Sequence, residues 1–229
     1  LYLCRGLLNL WNRGCWQDWT ATTSHNSSGE YSFSDIGRGW YTIKTDVTGY
    51  IQNYFHVRSC GDIGDQDFAL SETLPSDKYM RIVLSWLTTS PQTGKDLDSH
   101  IQVPDNSTGS RHLHFGVANK IISYSSTDNV TLDRDETDSP GTETITIIEV
   151  KNDKDYSYSV HDYTNRDNSS SNKLADSGAS VTVYYNNTTN KYSVPSGVGN
   201  LWRVFTFTVS GGLTEVGTMT YENTFTDVY

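Results

Sequence analysis

The side chains best suited to chemistry are carboxylates that recur at a spacing of two residues. Asp96 and Asp98 precede His100 at this spacing, and Asp133 and Asp135 repeat it further along the chain. On a strand such residues project from one face, and in a loop they can surround an ion. Calcium takes roughly six to eight oxygen ligands, which carboxylates in turns supply. The sequence therefore predicts calcium bound by some members of one acidic set: Asp96, Asp98, Asp133, Asp135 and Glu143.

Zinc is the alternative ion, and its ligands would be histidines of the same region. These histidines lack the compact spacing of zinc motifs, and no cysteine lies in this part of the chain. We therefore expect structural histidines rather than zinc ligands at four positions: His100, His112, His114 and His161.

Known catalytic signatures are missing from the sequence. It contains no Gly-x-Ser-x-Gly, no His-Glu-x-x-His and no phosphate-binding glycine loop. A glycosidase with paired carboxylates is a weaker alternative, because the acidic residues lie in turn-like contexts that suit metal or solvent. The sequence predicts a protein that is not an enzyme.

Composition narrows the range of partners. The net charge is −10 with only 17 Lys and Arg, and no basic run is present, so nucleic acid is not an expected partner. No apolar stretch approaches the roughly 18 residues of a membrane span. The apolar start is interrupted by Arg5 and Asn9 and does not resemble a signal peptide, and a first residue other than Met suggests a processed or incomplete chain.

Cysteines and glycosylation sequons suggest an extracellular or cell-surface location. Of Cys4, Cys15 and Cys60, one pair could form a disulfide in an exported protein, or the thiols could be reduced and buried, and the sequence leaves both this choice and the pairing open. In a eukaryotic source, glycans are expected at sequons that fall mostly in predicted turns: Asn26, Asn106, Asn129, Asn168, Asn186 and Asn187.

Alternation of apolar and polar residues predicts the fold class. The pattern recurs in short runs, such as Tyr31 with Phe33 and Met80 through Trp86, separated by turns rich in Gly, Asn and Asp. Many short strands without helical periodicity indicate an all-β protein of two β-sandwich domains in tandem. The boundary is expected at the polar stretch 71–77, with domains at 1–72 and 77–217 and an extension at 218–229.

The first domain resembles the carboxypeptidase regulatory-like, or transthyretin-like, family. The resemblance rests on the segment from Ser27 to Ile43, in which Gly29 precedes the Tyr31-x-Phe33 strand, and on Gly49-Tyr50. It implies a small β-sandwich that serves as a spacer or stalk module in exported proteins. The family's opening strand has no counterpart before Leu1-Tyr2-Leu3, and we expect it either to be supplied by another molecule or to lie in sequence upstream of Leu1.

The second domain resembles YfaP-like domains of exported bacterial proteins. The matching segments include 80–86, 96–100, 132–135, 158–163 and 202–205. This resemblance implies a β-sandwich with no established enzymatic activity.

Apolar and polar residues alternate again at the end of the chain, and this pattern suggests a mode of self-assembly. The odd-numbered positions include the apolar residues Met219, Tyr221, Phe225 and Tyr229. A domain that lacks a strand can accept one from another molecule, so this segment could complete the first domain of a neighbour and build a head-to-tail homopolymer. The alternatives are a last strand of the second domain, or a linker.

The expected function is a structural subunit of an extracellular filament or surface stalk. The alternative is a carbohydrate-binding or adhesive module that uses exposed aromatic residues such as Trp11, Trp16, Trp19 and Trp40.

Overall fold

The structure is a computed structural model that describes most of the chain in ten segments. These are residues 1–5, 21–52, 54–61, 70–76, 79–86, 96–104, 110–123, 129–139, 141–151 and 154–228. The chain divides into two compact units, Leu1–Thr73 and Leu74–Tyr229. The division falls inside the polar stretch that the sequence marks as a boundary. About 50% of the described residues are in strands and 7% in helices, which confirms the all-β class.

The first unit contains one antiparallel sheet in its described residues. Its strands are β1 (Tyr2–Arg5), β2 (Ala21–Thr22), β3 (Gly39–Lys44) and β4 (Tyr54–Ser59), in the order β2-β1-β3-β4. The buried side chains of Leu3, Tyr41 and Ile43 form its small core.

The segment around Tyr31 and Phe33 differs from its sequence prediction. The alternation predicts a strand, but these residues adopt no regular secondary structure. Their rings contact each other edge to face, with centroids 6.1 Å apart, and both pack against the core of the first unit. The aromatic residues thus contribute to the core from outside a regular strand.

The second unit contains eleven strands among its described residues. They are β5 (Met80–Trp86), β6 (Leu97–Pro104), β7 (Ser110–Leu113), β8 (Ile121–Ser123), β9 (Asn129–Arg134), β10 (Gly141–Ile147), β11 (Tyr156–Asp162), β12 (Ser180–Tyr185), β13 (Thr188–Ser193), β14 (Leu201–Thr208) and β15 (Gly212–Thr220). One helical turn, α1 (Lys173–Asp176), precedes β12. None of the helices in the described segments is long and apolar enough to cross a membrane.

These strands form two antiparallel sheets that share one core. The six-stranded sheet has the order β13-β12-β5-β10-β9-β8, and the five-stranded sheet has the order β15-β14-β11-β6-β7. Apolar residues of β5 and β10, such as Leu84 and Ile145, lie in one buried cluster with Ile101 of β6 and Phe205 of β14. This arrangement is sandwich-like.

The end of the chain belongs to the second unit. Met219 and Thr220 are part of β15 and lie opposite Trp202 and Leu201 of β14. Strand β15 therefore continues past residue 217, where the sequence predicts the domain end, and the alternating residues 218–220 pair with β14. Beyond β15, Phe225–Asp227 forms a short 3₁₀ turn and the Val228 side chain is buried. Tyr229 lies outside the described residues.

Candidate metal centre

Polar side chains gather on one face of the five-stranded sheet. Leu97 and Ile101 of β6 point into the sandwich core, so the alternating residues Asp98 and His100 lie on the opposite face. Strand β11 pairs with β6 so that His161 lies directly opposite Asp98. This register brings residues 63 positions apart in sequence next to each other.

Residues 221–228, which follow β15 and are called the covering segment below, lie over this polar face. The ring of Phe225 packs 5.3 Å from that of His114, 4.9 Å from Phe115 and 6.3 Å from Tyr163, measured between centroids. His100 and His161 are consequently 1% and 0% exposed. A face that alternation alone would assign to solvent is therefore buried.

Hydrogen bonds determine which nitrogen of His161 is free to bind an ion. The Nε2 atom lies 2.9 Å from the carbonyl oxygen of Glu222. A carbonyl only accepts, so Nε2 carries the proton. Burial lowers the pKa of His161. The ring is therefore neutral, and the buried Nδ1 has a lone pair and no hydrogen-bond partner.

A second chain of hydrogen bonds orients His100. His100 Nδ1 lies 2.9 Å from His112 Nε2, and His112 is also hydrogen-bonded to the backbone of Thr226. Burial, followed by the charge of His114, lowers the pKa of His112 to about 4, whereas the bond to the Thr226 backbone raises it by a smaller amount, as a carbonyl acceptor does. With the His112 proton directed to Thr226, His112 Nε2 accepts from His100 Nδ1. The buried Nε2 of His100 then has a lone pair and no partner.

His114 has a different role. Its Nδ1 accepts a hydrogen bond from the backbone N–H of Gly116 at 3.1 Å, so the proton of the neutral ring is on Nε2. The ring stacks on His100 at a centroid distance of 5.6 Å. His114 therefore packs beside the cluster rather than offering a lone pair to it.

Two groups of potential ligands meet at Asp98. In the first, Asp98, His100 and His161 offer ligand atoms that all lie within 4.8 Å of one another. In the second, Asp98, Asp135 and Glu143 do the same. Among the described residues, four of these five side chains have a buried polar atom without a hydrogen-bond partner: Asp98 Oδ2, His100 Nε2, Glu143 Oε1 and His161 Nδ1.

The carboxylates of this region repel one another in a desolvated environment. Burial, followed by the charges of Asp96, Asp135 and Asp162, raises the pKa of Asp98 to about 8. Burial and then Asp98 hold the pKa of Glu143 well above its usual range. A cation bound among these groups would stabilise their charged forms, and so offset both the loss of hydration and the repulsion between carboxylates.

The remaining predicted calcium ligands lie at different distances from this centre. Asp96 is close enough for its charge to raise the pKa of Asp98, and burial raises its own pKa to about 6. Asp133 lies outside both groups, and its carboxylate accepts hydrogen bonds from the hydroxyls of Thr131 and Thr146. The structure therefore brings together Asp98, Asp135 and Glu143 from the predicted set, but not Asp133.

The other predicted sites are placed as follows. Cys4 is disulfide-bonded, Cys60 is free and exposed, and Cys15 lies outside the described residues. Of the sequons, Asn129 lies in β9 and Asn106 is outside the described residues, whereas four are exposed: Asn26, Asn168, Asn186 and Asn187. Trp40 is exposed, and Trp11, Trp16 and Trp19 are not described.

Comparison of the chain with protein-family models, curated proteins and solved structures found no match. The two family resemblances therefore stay predictions, and the geometry of the site is the remaining basis for a proposed function.

Proposed function

We propose that the second unit is a metal-binding β-sandwich that holds a divalent transition-metal ion of the zinc class. The ligands are Asp98, His100 and His161. Two imidazoles with one carboxylate are a ligand set that zinc and related ions accept. Their ligand atoms lie within 4.8 Å of one another, which allows one ion to contact all three.

The observation that carries this proposal is the state of the two histidines. Each has one nitrogen engaged in a hydrogen bond and the other buried without a partner. Metal-binding histidines commonly donate their second ring N–H to a carbonyl or a similar acceptor, which fixes the tautomer. Leaving a buried polar atom unpaired costs about 1–3 kcal/mol, so three unpaired atoms in one place favour a bound ion over an empty core.

Burial supports a structural role for this ion. His100, His161 and Asp98 are all buried. Structural zinc sites are closed and usually have four protein ligands, whereas catalytic sites have three and keep a position open to water or substrate. A structural role therefore requires a fourth ligand in addition to Asp98, His100 and His161. Metal binding that holds strands and tail together agrees with the prediction that the protein is not an enzyme.

The test is zinc binding by chelator-treated protein. If zinc binds only the native state, a concentration 100 times the Kd stabilises it by about 2.7 kcal/mol. For a unit of this size we expect the melting temperature to rise by about 5–10 °C. Calorimetric titration should give one equivalent of zinc.

Substitution of a single ligand provides the control. Gln can keep the hydrogen bond to the Glu222 carbonyl but lacks the imidazole lone pair, so His161→Gln should abolish the thermal shift. His25→Gln, at an exposed histidine of the first unit, is the matched control and should leave the shift unchanged. Equal zinc binding by the His161 variant and the parent protein would refute the proposal.

The role in an extracellular filament, and its carbohydrate-binding alternative, stay predictions. Strand donation by the end of the chain would require Met219 and Thr220 to leave their partners on β14. A metal ion that fixes the covering segment would oppose this release. Negative-stain microscopy with and without chelator therefore tests the filament prediction: strand donation predicts fibres when the ion is removed.

A further inference from the structure

The second ligand group brings together residues of both sheets. Asp98 belongs to β6 of the five-stranded sheet, and Glu143 belongs to β10 of the six-stranded sheet. Asp135 follows directly after β9. Three carboxylates from different elements thus converge, although neither sheet alone would place them together.

The burial of Glu143 distinguishes this group from a cluster of acidic side chains on the surface. Its side chain is 0% exposed. One oxygen, Oε2, accepts the backbone N–H of Ser99 at 2.6 Å, which anchors the carboxylate to β6. The other oxygen, Oε1, is buried without a hydrogen-bond partner, as is Oδ2 of Asp98. Buried carboxyl groups are normally hydrogen-bonded, paired with a charge or bound to a metal, and these two oxygens have no such partner among the described residues.

Lys120 provides part of the missing positive charge. Its ammonium group forms an ion pair with Oδ2 of Asp135, and this lysine is partly exposed. The contact engages one oxygen of one carboxylate. It leaves the buried oxygens of Asp98 and Glu143 without a cation.

We propose that Asp98 is shared between two cations: the zinc-class ion of the histidine group, and a hard divalent cation, Ca²⁺ or Mn²⁺, bound by Asp98, Asp135 and Glu143. This inference rests on the proposed function for its first ion. An all-oxygen ligand set selects hard cations, whereas imidazole selects the zinc class, so the two groups differ in preference. A carboxylate can bridge two ions, and paired metal sites typically have ions about 3.5–4 Å apart.

The experiment measures two binding events separately. Chelator-treated protein is loaded with one equivalent of Zn²⁺ and then titrated with Ca²⁺, and in a second series with Mn²⁺, by calorimetry. We expect one further equivalent of at least one of these ions. Wild-type protein that binds no second equivalent of either would overturn the inference.

Three variants separate the two ions. Glu143→Gln keeps the side-chain length and an acceptor for Ser99, so it should weaken the second cation about tenfold or more and retain Zn²⁺. His161→Gln should lose Zn²⁺ and retain the second cation. Asp98→Asn should weaken both, and Asp133→Asn, outside both groups, should weaken neither. Circular dichroism checks each fold, and Asp135→Asn replaces the Glu143 variant if that variant does not fold.

The outcomes distinguish the two proposals. If Ca²⁺ or Mn²⁺ binding depends on Glu143 but Zn²⁺ does not bind, the proposed function fails and the carboxylate site stands alone. If Zn²⁺ binding depends on His161 but Glu143→Gln leaves binding of the second cation unchanged, the second site is wrong and the proposed function stands. Asp98→Asn that weakens only one ion would refute the shared carboxylate.

Discussion

The contact between Gly141 and Trp86 gives the sharpest test of how the second unit is packed. Gly141 opens β10 and lies directly opposite Trp86 of β5. A Cβ atom at Gly141 would be 2.0 Å from Cζ2 of the indole, 2.4 Å from Cε2 and 2.5 Å from Cη2. Ordinary contacts begin at about 3.4 Å. The variant Gly141→Ala therefore requires a displacement of about 1 Å or more between two buried residues.

The structure sets the scale of the resulting destabilisation. Trp86 is 1% exposed and belongs to the core shared by both sheets, so the indole has little room to move. Overpacking of a core typically costs about 1–3 kcal/mol. Expulsion of the indole would approach the cost of deleting a buried aromatic side chain, about 3–5 kcal/mol. We expect the variant to lose roughly 2–5 kcal/mol, or about 5–15 °C in melting temperature for a unit of this size.

The assay is urea unfolding followed by circular dichroism and tryptophan fluorescence. Gly37→Ala is the control, because a Cβ there meets only the Tyr41 hydroxyl at 3.8 Å. A phenylalanine at position 86 is smaller than tryptophan and lacks the part of the indole that a Cβ at position 141 would clash with. Trp86→Phe combined with Gly141→Ala should therefore be more stable than the sum of the two single effects predicts, by about 1 kcal/mol or more. A Gly141→Ala variant within about 0.5 kcal/mol of the parent, or a strictly additive double variant, would refute the reasoning.

The remaining predictions concern the covering segment and the ligands. Truncation after Thr220 removes the Glu222 carbonyl and the Thr226 backbone contact that orient the histidines, so zinc affinity measured by titration should fall about 10–100-fold; unchanged affinity would contradict that role. Asp133→Asn should leave the number of bound ions unchanged by elemental analysis, because its carboxylate is held by two threonine hydroxyls; loss of an ion would restore Asp133 as a ligand. Gly199 has φ +147°, and a Cβ there would lie 2.2 Å from the Thr220 carbonyl oxygen, so Gly199→Ala should expose the tail to limited proteolysis; parental resistance would argue against this packing.

The sequence predicts much of the fold because its strongest signals are local. Alternation over Met80–Trp86 and around Tyr156 corresponds to β5 and β11, whose inward residues lie in the core. The same pattern at Tyr31 and Phe33 predicts a strand that the structure lacks. An alternating pattern shows which side chains are apolar. A strand also needs a neighbouring strand that hydrogen-bonds its backbone, and the residues of the pattern do not determine that neighbour.

The candidate site was only partly predictable, for a related reason. The spacing of two between Asp98 and His100 correctly places them on one face of a strand. Their meeting with His161 depends on the register of β11 against β6, and the burial of the group depends on a segment near the end of the chain. The carboxylate spacing favoured calcium over zinc because it is visible in sequence, whereas the free nitrogens of the histidines become visible only with their hydrogen-bond partners.

The position of the covering segment has a kinetic consequence. Phe225 and the backbone of Glu222 cover the polar face. An ion bound beneath this segment exchanges with solvent only when the segment opens. Its dissociation rate then reports local unfolding of the last residues rather than the strength of the metal–ligand bonds. Such an ion would persist in dilute chelator for as long as the segment stays docked, even if its equilibrium affinity were modest.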